Sequence, residues 1–129
     1  MMNDPLAQVF THIRNAEAVG KSEVTTEPVS KMITKVLEIM KSHEYILGFE
    51  IQTTNQGGLY KIQLPHKING CGVIKPRFPV KKIEYLKWEK RYLPGEQFGI
   101  LIVSTPKGLM TQQEAKEKGL GGKLIAFVY

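Results

Sequence analysis

Leu6, Val9, Phe10 and Ile13 recur at i, i+3, i+4 and i+7, a spacing that predicts a helix with one apolar face. Asp4 is a good N-cap residue, Pro5 fits the first helical position, and Gly20 ends the pattern. Thr11, Arg14 and Asn15 lie off the stripe and are expected to point outward. Val24 to Val29 is short, rich in Val and Thr, interrupted by Pro28, and predicts a brief strand. A second helix should follow, capped by Ser30, with Ile33, Val36, Leu37 and Met40 as its stripe and Lys35, Glu38 and Lys41 on the far side. Two strand-like runs, Tyr45–Thr53 and Leu59–Leu64, enclose the turn signal Asn55, Gln56, Gly57 and Gly58.

Pro65 to Gly72 is polar and contains glycine, and the domain boundary is placed there, giving 1–66 and 67–129. Beyond it, Pro76 and Pro79 forbid a helix and suit an edge strand or an extended crossing. Glu84–Tyr92 reads as a short helix or a turn. Phe98–Val103 is a continuous apolar run, the pattern of a strand buried on both faces. Thr111 and Glu114 form a capping box and Gly119 fits a C′ position, so a short helix is expected over roughly residues 112–118. Lys123–Tyr129 reads as a last strand. The expected fold class is α+β: two small α/β domains, the first α-β-α-β-β and the second mainly antiparallel β with one short helix.

The 129 residues are 42% hydrophobic, enough for a real core. No apolar run approaches the roughly 20 residues of a membrane span. Met1 to Gln8 hold neither a basic nor an apolar signal region. Cys71 is the sole cysteine, so neither an intrachain disulfide nor a thiolate zinc site is expected. These features fit an intracellular, cytoplasmic protein. The net charge is +6, and its placement is more informative than its size. Residues 1–70 carry seven Lys/Arg and seven Asp/Glu. Residues 71–91 carry Lys75, Arg77, Lys81, Lys82, Lys87, Lys90 and Arg91 against Glu84 and Glu89. A segment of +5 attracts a polyanion, and phosphate neutralisation with counterion release would drive binding. The alternative is a solvated basic face.

Catalytic and cofactor patterns are missing. Asp4 is the only aspartate, and the glutamates form no obvious acid–base pair. His12, His43 and His66 share no metal-ligand spacing. Cys71 and His66 invite a nucleophile–base reading, set against a small buried cysteine that begins a strand. There is no phosphate-binding loop, dinucleotide fingerprint or nucleophile elbow. No cofactor, metal, membrane or small-molecule substrate is expected, and the chain does not read as an enzyme.

Between the buried run and the capped helix lies Ser104-Thr105-Pro106-Lys107-Gly108. Two hydroxyls, a cation and a glycine suit contacts to phosphates, ribose 2′-OH groups and base edges. An ordinary strand-to-helix connection would use the same residues locally. The wider stretch, Gly99 to Thr111 with Glu114-Ala115 and Gly119-Leu120-Gly121-Gly122, resembles the signature of small-subunit ribosomal protein eight, the universal uS-eight family. The N-terminus matches separately through Asp4-Pro5-Leu6-Ala7, Thr11 and Ile13-Arg14-Asn15-Ala16, and Pro28-Val29-Ser30-Lys31 is also family-like. Ile74-Lys75-Pro76-Arg77-Phe78 and the ending Gly121 to Tyr129 look like the archaeal branch. Bacterial members usually carry glutamate at the position of Lys123, and often a second serine at that of Pro106.

The resemblance implies a structural constituent of the small ribosomal subunit. It would bind a central-domain helix of the rRNA early, and support assembly and translation. The first domain would meet RNA through Asp4, Pro5, Thr11, Arg14, Asn15, Ser30 and Lys31. The second would use Ser104, Thr105, Lys107 and Gly108 against a distorted, base-triple-bearing stretch of minor groove, with Gly121, Gly122 and Lys123 nearby. Lys75, Arg77, Lys81 and Lys82 are expected to add phosphate contacts. Neighbouring small-subunit proteins are further expected partners, and the messenger RNA of its own operon a candidate one through autogenous repression. The rivals are an RNA-processing enzyme using Cys71 or His66, and an adaptor whose basic segment binds an acidic partner.

Overall fold

The computed structural model describes residues 4–55, 57–95 and 98–129. The chain divides into two compact units, Met1–Ile68 and Asn69–Tyr129. The fold is α+β with antiparallel sheets, as the patterning predicts.

The first unit runs α1 (Pro5–Ala18), β1 (Glu23–Thr26), α2 (Lys31–Ser42), β2 (Gly48–Thr54) and β3 (Gly57–Gln63). Its sheet has the order β1-β3-β2. The Asp4 carboxylate accepts from the Leu6 and Ala7 amides at 3.1 and 3.2 Å, and Ser30 Oγ accepts from Ile33 N–H at 3.1 Å. Both helices bury the stripes read from the sequence: Leu6, Val9, Phe10 and Ile13, then Ile33, Val36, Leu37 and Met40. Each such side chain is worth about 1.5–3 kcal/mol of burial. On β3, Tyr60 and Ile62 point to the same face and are fully buried. The Tyr60 hydroxyl donates to the Ser30 carbonyl at 3.0 Å and pairs with Thr34 Oγ1 at 2.6 Å, tying β3 to α2.

Two boundaries differ from expectation here. β1 stops at Thr26, before Pro28, which has no N–H for the ladder. β2 begins at Gly48, because Tyr45 still belongs to the exit of α2. Glu44 is left-handed (φ 65°) and the Tyr45 amide reaches back to the Met40 carbonyl at 2.9 Å. Of the anticipated turn between β2 and β3, Gln56 lies outside the described residues; Thr54 pairs with Gly57 across it.

The second unit runs β4 (Cys71–Val73), β5 (Pro79–Val80), α3 (Tyr85–Tyr92), β6 (Ile100–Thr105), β7 (Gly108–Thr111), α4 (Gln112–Lys118) and β8 (Gly122–Val128). The strand order is β4-β8-β6-β7, with β5 pairing β8 farther along its length. All of Ile100 to Val103 is buried, as a continuous apolar run requires. Tyr85, Trp88, Leu101, Val103, Met110, Ala115 and Leu124 share one core cluster, so α3 and α4 pack on the sheet. α4 has its capping box, with Thr111 Oγ1 accepting from Glu114 N–H at 3.3 Å, and ends on left-handed Gly119.

This unit has two helices rather than one. Prolines and charges surround residues 85–92, but Tyr85, Trp88, Glu89 and Tyr92 form one inward stripe. Their packing decides a segment whose local signals were divided.

Candidate nucleic-acid interface

The segment 104–108 is a β-hairpin turn rather than a strand-to-helix loop. Thr105 pairs with Gly108 across the two-residue turn Pro106-Lys107, and β7 intervenes before α4. Gly108 has φ 111°, a conformation that favours glycine. The two hydroxyls therefore lie on opposite faces of β6. Thr105 is 9% exposed, and its Oγ1 donates to the Gly108 carbonyl at 2.8 Å while accepting from the Lys107 amide at 3.1 Å. That hydroxyl closes the turn. Ser104 is exposed.

Ser104 pairs directly with Lys123 of β8, Lys123 pairs with Pro79 of β5, and Ser104 pairs with Leu109 of β7. Directly opposed residues share a face. The result is a row across four strands, Pro79–Lys123–Ser104–Leu109, with an exposed cation beside an exposed hydroxyl. Arg77, Lys81 and Lys82 are exposed on either side of β5, and Lys107 is exposed at the hairpin tip. Lys75 is also exposed, just after β4.

Gly121 and Gly122 let neighbouring backbones approach closely. A Cβ on Gly122 would meet the Ser104 carbonyl, and one on Gly121 would lie 2.7 Å from the Val80 carbonyl. The glycine pair thus brings β8 close enough to β5 and β6 to assemble the row.

In the first unit, Pro5, Arg14 and Asn15 are exposed on α1, while Thr11 is half-buried with its hydroxyl donating to the Ala7 carbonyl at 2.9 Å. The Asp4 carboxylate caps α1, so its contribution is to fix where that helix begins. Lys31 is exposed on the first turn of α2, next to the capped Ser30. Gln8 Nε2 donates to the Glu27 carbonyl at 3.1 Å, tying α1 to the segment that leads into α2. Helix N-terminal dipole and cation coincide at residues 30–31, a favourable place for a phosphate.

The Cys71 and His66 positions do not resemble a nucleophile and its base. His66 lies 3.9 Å from Glu17, and Cys71 is buried at the start of β4. Glu17 is held above the usual carboxylate range by burial, which the nearby His66 opposes. Among the described residues, no three His, Cys, Asp or Glu side chains gather as a metal site, and no helix is long and apolar enough to cross a membrane.

One feature of the second unit was not singled out in the sequence. Phe78, Trp88, Tyr92, Phe127 and Tyr129 form a continuous row of stacked rings, with centroids 4.8–6.4 Å apart. The Arg91 guanidinium lies 5.2–5.5 Å from the first three. The signals were there: Trp88 and Tyr92 at i, i+4 on a helix, and Phe127 and Tyr129 at i, i+2 on a strand. The row holds α3 against β8, and so fixes the Arg77–Lys82 segment between them.

A family model described as Ribosomal protein S8 matches residues 4–129. The chain is 52% identical over 129 residues, all of both sequences, to the Small ribosomal subunit protein uS8 of Thermoplasma acidophilum.

Proposed function

The chain belongs to the ribosomal protein S8 family and is thereby a protein of the small ribosomal subunit, and we propose that its role there is to bind and brace an irregular helix in the central domain of the rRNA. The observation that carries this reading is the Pro79–Lys123–Ser104–Leu109 row, flanked by Arg77, Lys81, Lys82 and Lys107. A regular A-form helix hides its bases in a deep groove, so a protein reads shape, 2′-OH groups and distortions. A rigid sheet face with one free hydroxyl suits that task. Ser104 reaches a ribose or base edge in the shallow groove, while the surrounding cations take phosphates and set the register.

Thr105, Gly108, Gly121 and Gly122 act by shaping the hairpin and drawing the strands together. The first unit adds phosphate contacts through Arg14, Asn15, Lys31 and the amides at the start of α2. Early binding of this kind would hold the central domain folded while the subunit assembles.

The test is the affinity of the full chain for a central-domain rRNA hairpin beside an unrelated RNA duplex at physiological salt. Specific recognition predicts about a hundredfold preference or more for the hairpin, and a loss of about 1–3 kcal/mol on combining Ser104→Ala with Lys123→Gln. Equal affinity for both RNAs would reduce the face to a general phosphate binder and refute the reading.

A further inference from the structure

The outer side of α3 presents two exposed apolar side chains. Ile83 is 83% exposed and Leu86 is 45% exposed. Ile83 sits just before the helix, where a hydrophobic residue usually folds back onto the fourth helical position, here Trp88. Instead Trp88 turns into the core and Ile83 stands in solvent. On a helix of 3.6 residues per turn, Leu86, Lys87 and Lys90 fall on one side, opposite the buried Tyr85, Trp88 and Glu89, and Ile83 is exposed in the turn that leads into it. Beside them is a cleft of about 130 Å³, lined by Leu86, Glu89, Lys90, Leu93, Pro94 and Gly95, in which Glu89 is already matched by Lys116.

Among the described residues, the exposed charges on this side of α3 are cationic. Lys87 and Lys90 are exposed, while Glu89 is buried and engaged by Lys116. Glu84 accepts from the Lys81 amide at 2.9 Å. An aliphatic patch with a cleft and a cationic border is poorly matched to an RNA backbone, which offers phosphates and sugars. It matches an apolar segment that carries its own acids.

We propose that the outer face of α3 docks an acidic, amphipathic segment of a neighbouring small-subunit protein. Ile83 and Leu86 form the apolar centre, and Lys87 and Lys90 the charged border. The +5 segment would then serve two partners. Residues 75–82 turn to RNA beside β8, and residues 83–90 turn to protein. The proposal rests on membership of the small subunit, and does not depend on how Ser104 and Lys123 meet the rRNA.

The experiment places a benzophenone-bearing amino acid at position 83 of the full chain, in purified, assembled small subunits. Irradiation should give an adduct with a single protein that resists nuclease and yields to protease. Its linked peptide should carry more Asp and Glu than Lys and Arg, with apolar residues at helical or alternating spacing. Adding Lys87→Glu with Lys90→Glu should lower the yield about tenfold. The same double variant, as the isolated chain, should lose only the few-fold affinity for the rRNA hairpin that its four-unit change in net charge carries through long-range attraction, well short of the loss of adduct. An adduct with RNA, a linked peptide that is basic, or no adduct at all would overturn the proposal. So would a loss of hairpin affinity as large as the loss of adduct, which would assign the face to RNA.

Discussion

Replacing Ser104 and replacing Thr105 are different experiments, because neighbours in a strand face opposite sides. Ser104→Ala should weaken binding to the rRNA hairpin by about 1 kcal/mol and leave the melting temperature unchanged. Thr105→Ala removes the hydroxyl that bridges Gly108 and Lys107, so it should lower stability by about 1–2 kcal/mol and weaken RNA binding only through the turn. Thr105→Ser should restore both, as thermal melts run beside the binding assay would show. Glu17 gives a residue-scale prediction in pH. Its folded pKa is raised by burial, so the folded state binds its proton more tightly than the unfolded chain does. Stability from this group is therefore greatest below the ordinary carboxylate range and is lost as pH rises through the raised value. Glu17→Gln should stabilise the protein at pH 7, with the advantage shrinking to nothing in acid. A variant whose gain did not change with pH would contradict this sign. Much at this scale was readable beforehand, including the Asp4, Ser30 and Thr111 caps and the exposure of Arg14 and Asn15, though Thr11 beside them is half-buried. The division of labour between Ser104 and Thr105 was not, since it depends on a hairpin register that adjacent letters do not encode.

At the scale of elements, the helices were legible because their signals agree. A cap and a stop glycine or polar exit mark α1, α2 and α4, and a 3.6-residue apolar stripe adds to them in α1 and α2. The strand ends were less so: β2 starts late because the exit from α2 takes residues whose side chains suit a strand. The missed hairpin has a similar cause. β7 is only Gly108–Thr111, too short for a period to show, and its pairing with β6 defines it. α3 owes its form to packing, through the ring row and the Lys116 ammonium that meets the buried Glu89 carboxylate from α4. Lys116→Met would leave that carboxylate without its cation. The expected loss is about 1–3 kcal/mol, discounted from a fully buried pair because Lys116 is partly in water. Denaturant titration reads it directly, and Glu89→Gln in the same background should recover part of the loss. An unchanged midpoint would show that the pair contributes nothing to holding α3.

For the whole molecule, the proposed reading has charge set how tightly RNA would be held and shape set which RNA. If Arg14, Lys31, Arg77, Lys81, Lys82, Lys107 and Lys123 each meet a phosphate, the logarithm of the binding constant should fall against the logarithm of salt with a slope of about −6. Lys123→Gln should reduce that slope by about one, and an unchanged slope would remove Lys123 from the contacts. Each compact unit carries its own exposed cations and helix ends. The sequence made this level readable in outline through the concentration of charge in residues 71–91. It could not show that the segment splits between the β8 sheet face and the outer face of α3, because that partition follows from where α3 packs. The most direct test compares the full chain's affinity for the central-domain hairpin with its affinity for the same hairpin after its irregular nucleotides are replaced by regular base pairs. Shape recognition predicts a loss of about 1–3 kcal/mol or more at physiological salt, with little change in the salt slope. Equal affinity for the two hairpins would contradict it.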